Sequence, residues 1–155
     1  MANSSNVINQ RKKSIGDVAV DGLLAGMAAG VVMALWLVLV GLLDGEGPAA
    51  ILGRFDPGVG GSPLIGALMH LAVAGFYGVG LALILRLLAG RGMATNRAVW
   101  LLSAAYGLIL WLAARLIVLP GLNQALGDIA TFNLLGAHIL YGLILGYLLG
   151  RHQNG

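Results

Sequence analysis

His70 and His138 are the only titratable side chains set deep inside long apolar runs of this sequence. A polar side chain in such a position is costly in a membrane and usually faces other helices. A neutral imidazole there has two chemistries open to it. It can ligate a metal, or it can bridge two helices through a hydrogen bond. Stepping by four from each histidine gives His70, Ala74, Gly78, Ala82 and His138, Gly142, Gly146, Gly150. Residues four apart share a helix face, so each histidine heads a stripe of small residues. Such stripes are the surfaces on which membrane helices approach closely. A third stripe, Gly22, Gly26, Gly30 and Ala34, precedes them.

Two imidazoles at one depth suit the axial ligation of haem b. Taken separately, each suits the central metal of a chlorophyll-type macrocycle, with Gly66 or Ala74 leaving room for the ring. The competing reading is purely structural, with Tyr77, Tyr141 or Ser103 as hydrogen-bond partners of the histidines. No metal ligand is expected beyond His70 and His138. Arg115, four residues after Trp111, suits an anion or lipid headgroup, an ion pair with Asp44, Asp56 or Asp128, or a side chain snorkelling to the interface. Asp21, one turn from Asp17, suits a proton path or an interfacial pair with Lys13 or Arg97.

Other chemistry is excluded by what is missing. The chain has no cysteine, which removes disulfides, thiolate nucleophiles, zinc–cysteine sites and iron–sulfur clusters together. It has no phosphate-binding glycine loop with a lysine, no HExxH and no Gly-x-Ser-x-Gly. No acidic residue lies mid-span, which argues against a small proton-coupled exporter. No catalytic residue is assigned.

The elements that must hold these groups follow from composition. Of 155 residues, 59% are hydrophobic and 10% charged, against roughly 25% charged in a soluble domain. Mean hydropathy is +0.90. These values exclude an ordinary soluble globule and a disordered chain. The net charge is +3, from 9 cations that flank apolar runs and form no nucleic-acid patch. Crossing a bilayer takes about 20 apolar residues. Four spans qualify, at 22–43, 63–85, 98–119 and 129–150. Ser14 to Asp17 reads as a capping box, Ser62-Pro63 as an N-cap with proline at the first helical position, and Thr95-Asn96 as a cap. Pro120-Gly121 reads as a stop, and Asp44 to Pro48 ends the first helix. His70 and His138 then lie roughly 10–14 Å below the outer helix ends, at 1.5 Å per residue.

Lysine and arginine set the orientation. Arg11, Lys12, Lys13, Arg86, Arg91, Arg97 and Arg151 fall on one side, and Arg54 and Arg115 on the other. The expected fold is therefore all-α, a polytopic four-helix bundle in a bacterial-type inner (plasma) membrane, with both termini cytoplasmic. Residues 1–16 form an N-terminal tail, 17–150 the membrane domain and 151–155 a C-terminal tail. The first span is expected to be a retained signal-anchor.

Two hairpins related by duplication are one arrangement of these spans. Leu35-Trp36-Leu37 matches Leu110-Trp111-Leu112, and Leu52-Gly53 matches Leu126-Gly127 in the outer loops. Residues Pro48 to Phe55 and Leu122 to Ile129 each suit a short outer helix. Tyr106-Gly107-Leu108-Ile109-Leu110 also recurs as Tyr141-Gly142-Leu143-Ile144-Leu145, which duplication does not predict. With so little chain outside the bilayer, the leading expectation is a non-catalytic structural or assembly subunit. Its partners are lipid, other transmembrane subunits or a second copy, met through the small-residue stripes, and not nucleic acid. The alternative is an electron-transfer or pigment protein using His70 and His138, and the third is a small transporter or channel.

Overall fold

A computed structural model describes residues 13–58, 60–93, 95–119 and 129–151, and every regular element among them is helical. They are α1 (Ile15–Leu43), α2 (Pro48–Gly53), α3 (Pro63–Ala89), α4 (Asn96–Ala113) and α5 (Thr131–Arg151). A single π-helical turn, Ala114–Val118, extends α4. The helices α1, α3, α5 and α4 with its π turn are long and apolar enough to cross a bilayer. The chain is a multi-pass membrane protein. Arg11, Lys12, the tail over 1–10, the Pro120-Gly121 stop, Leu126-Gly127, Asp128 and residues 152–155 lie outside the described residues, as does the short helix expected over 122–129 apart from Ile129.

Local chemistry starts and stops these helices as the sequence reads. Ser14 Oγ accepts from Asp17 N at 3.1 Å while the Asp17 carboxylate accepts from Ser14 N at 2.8 Å, so the capping box is complete. Ser62 Oγ accepts from Ile65 N and Thr95 Oγ1 from Ala98 N, capping α3 and α4. After Asp44 caps α1, Gly45 turns the chain at φ +83°, a backbone region that glycine enters without strain. At the other end of α1, Arg86 donates to the carbonyls of Lys13 and Ser14 at 2.6 and 3.3 Å. That contact ties the start of α1 to the end of α3.

The helices then pack through their small residues. Helix α3 runs antiparallel along α1, α5 runs antiparallel along α4, and α1 lies against α5. A methyl group on Gly26 would stand 2.8 Å from Gly78 Cα, and one on Gly142 would stand 3.2 Å from Gly107 Cα. Both pairs of helices therefore touch backbone to backbone. Gly22 and Gly30 meet Ala82 and Ala74 in the same seam, and Gly146 meets Ser103. Gly150 sits at the edge of the seam, where a methyl group would make an ordinary 3.8 Å contact with Val99. The stripes read from the sequence are thus consumed inside the chain. Trp36 closes the α1–α5 contact by donating from Nε1 to Asn133 O at 3.3 Å.

Gly78→Ala is expected to destabilise the fold by about 3 kcal/mol or to prevent it, because the added carbon has only backbone to displace. Gly136→Ala, whose methyl group meets only the Trp36 ring at 3.5 Å, is expected to stay within about 0.5 kcal/mol of the parent. Unfolding in mixed detergent micelles separates the two.

Candidate functional site

The two histidines occupy matching places in their helices. His70 follows the first residue of α3 by 70 − 63 = 7 positions, and His138 follows the first residue of α5 by 138 − 131 = 7. Both α3 and α5 run antiparallel to α1, so the two rings lie at the same depth, and they border one cavity of about 290 Å³. Its wall is otherwise mostly aliphatic and aromatic, with Met33, Met69, Val73, Leu110, Leu134 and Tyr141 among the lining residues.

The cavity exists because α3 and α4 barely touch. Met69 and Val73 of α3 stand at its rim and are 41% and 45% exposed, on an apolar flank of the spans. On the opposite side the wall includes Ala114 and Val118, the two ends of the π turn. A π turn inserts a residue into the helix and often marks a functional position. Phe55, from the loop after α2, packs on the His70 ring with centroids 4.7 Å apart.

Each imidazole is oriented by a backbone carbonyl. His70 Nε2 lies 2.9 Å from Gly30 O on α1. His138 Nδ1 lies 2.8 Å from Leu134 O on its own helix. A carbonyl only accepts, so the facing nitrogen carries the proton in both rings. In the neutral ring the other nitrogen, Nδ1 of His70 and Nε2 of His138, keeps its lone pair. Neither makes a hydrogen bond to the protein among the described residues. The His70 contact depends on Gly30, where a methyl group would come within 2.6 Å of Ala74 Cβ and hold α1 away.

Among the described residues none of Tyr77, Tyr141 and Ser103 bonds to a histidine: Tyr141 and Ser103 hold backbone carbonyls, and Tyr77 lines the cavity. Tyr141, 2% exposed, donates to Ala74 O at 2.6 Å, and Tyr106 donates to Tyr77 O at 2.9 Å. These hydroxyls reach from α5 and α4 to carbonyls one turn apart on α3. The recurring Tyr-Gly pair acquires an explanation here: the glycine lets α4 and α5 touch, and its neighbouring tyrosine fastens that pair to α3. Ser103 Oγ donates to Val99 O at 2.7 Å and packs on Gly146.

The remaining candidates lie apart from the cavity's polar groups. Asp21 pairs with Lys13 at 2.7 Å. Asp56, 7% exposed, accepts from Gly58 N at 2.9 Å and Ser62 N at 2.8 Å, and so closes the α2–α3 loop. Arg54 pairs with Glu46 at 2.6 Å. Arg115 is half-buried on the π turn and is not paired with Asp44 or Asp56. Trp111 Nε1 is buried without a partner among the described residues. No three His, Asp or Glu side chains gather as a metal site among those residues, so metal chemistry in the cavity would fall to single imidazoles.

Sequence reasoning did not single out Ser103 and Gly107 as the packing face of α4, although Val99, Ser103 and Gly107 step by four along it. Phe55 and the π turn carried no recognisable signal. No family model, curated protein or solved structure matches the chain.

Tyr141→Phe is expected to lower stability by about 1 kcal/mol through loss of the bond to Ala74 O. Asp56→Ala is expected to cost about 1–3 kcal/mol, because two loop amides lose their acceptor. Thermal unfolding in mild detergent measures both.

Proposed function

We propose that this chain is a non-catalytic binding protein of the bilayer, which holds a lipid-soluble molecule in the cleft between α3 and α4. The observation that carries this reading is that His70 and His138 border the same apolar cavity, each with a ring nitrogen unused by the protein. An apolar pocket with a few convergent polar groups is the usual form of a small-molecule site. A rim of exposed Met69 and Val73 favours entry from hydrocarbon over entry from water.

In this reading the four spans form a bundle of two hairpins, α1 with α3 and α4 with α5, in a bacterial-type inner membrane. Both termini are cytoplasmic. Support comes from Lys13, Arg86, Arg91, Arg97 and Arg151, which cluster at helix ends that alternation places on one face. A second reading, a structural subunit of a larger membrane complex, rests on how short the links between the spans are. The glycine stripes no longer favour it, since they are buried within the chain.

The test is purification from the native membrane in mild detergent, followed by an absorption spectrum and mass spectrometry of the organic extract. The expected result is an apolar small molecule at a fixed ratio to protein, lost in Val73→Trp, which fills the rim. A Soret or chlorophyll-type band that vanishes in His138→Ala would identify that molecule as a macrocycle. An empty extract with larger proteins co-eluting would overturn binding in favour of the subunit reading.

A further inference from the structure

The hydrogen-bonding character of the cavity narrows what it holds, on the reading that it binds a lipid-soluble molecule at all. Both imidazole N–H groups are spent on backbone carbonyls, at Gly30 and Leu134. The hydroxyls of Tyr141 and Tyr106 are spent on Ala74 and Tyr77 carbonyls. What the two histidines retain are lone pairs, so they accept and do not donate. A ligand that only accepts, such as a quinone carbonyl or an ester, finds no complement in them and has only the Tyr77 hydroxyl on the cavity wall to donate to it. A ligand that donates two hydrogen bonds from an aromatic ring finds two.

Size and placement agree. A volume of about 290 Å³ is at the lower end for small-molecule pockets, enough for one substituted ring and small for a tetrapyrrole. Axial ligation of haem by both rings would have to use Nδ1 of His70, the ring nitrogen nearer the main chain, because Nε2 carries the proton shared with Gly30 O. The rim at Met69 and Val73 leaves an alkyl tail free to run out into hydrocarbon. We propose that the cleft between α3 and α4 binds the ring of a lipid-soluble hydroquinone, with His70 Nδ1 and His138 Nε2 accepting its two hydroxyl protons in hydrogen bonds.

The experiment uses the full chain in nanodiscs and three probes that share a decyl tail: a benzoquinol kept reduced, the corresponding benzoquinone, and decylbenzene. Binding is followed by calorimetry. The quinol is expected to bind at least tenfold more tightly than the quinone, about the effect of one hydrogen bond gained. His138→Leu, which breaks only a bond within α5, should reduce quinol affinity about tenfold and leave decylbenzene unchanged. Val73→Trp should abolish binding of all three. Equal affinity for quinol and quinone, or a quinol affinity untouched by His138→Leu, would overturn the proposal while leaving a lipid-soluble ligand in the cleft. If the parent protein binds none of the probes, the hydroquinone and the binding reading both fall.

Discussion

In a bilayer the surrounding hydrocarbon is as apolar as a leucine side chain, so helices gain little by hiding apolar surface from it. They are held together by what they gain from touching one another. In this protein the spans approach backbone to backbone where glycine meets glycine, at Gly26 with Gly78 and at Gly107 with Gly142. With no side chain between them, the backbones pack directly and bring carbonyl groups within reach of the neighbouring helix. Gly30 illustrates the consequence, because its carbonyl is where His70 places its proton.

The same close seams account for the cavity. Four helices cannot all be drawn together on glycine faces, and of the neighbours around the bundle α3 and α4 touch least. The tyrosines bridge that gap at its base, from α4 and α5 to consecutive turns of α3. Phe55 and the α2–α3 loop, closed on Asp56, cover the end beside His70. What remains open is a flank bounded by aliphatic side chains, with two imidazoles inside. His70, His138, Tyr141 and Tyr106 each bond to a backbone carbonyl beside it, which is how a polar site is kept stable in hydrocarbon.

Much of this was legible in the residues. Capping residues at Ser14, Ser62 and Thr95 marked the helix starts because a side chain that satisfies an amide three residues on is a local matter. The depth of His70 and His138 followed from span boundaries alone. The stripes were visible as well, yet whether they face inward or outward depends on which helices pair, and a four-residue period does not contain that. The Ser103–Gly107 face of α4 passed unnoticed amid 25 glycines, which make such patterns common. The cavity and the π turn beside it are products of helix arrangement, and no single segment encodes them.

The opposite tethering of the two histidines is the central claim, and nitrogen NMR of the protein in bilayers tests it most directly. With histidine labelled at both ring nitrogens, and signals assigned through His152→Gln and His138→Gln, the tautomers can be read from the ring nitrogen shifts. The account predicts His70 protonated on Nε2 and His138 protonated on Nδ1, each with the other nitrogen bare. The same tautomer in both rings, or two fully protonated rings, would contradict it.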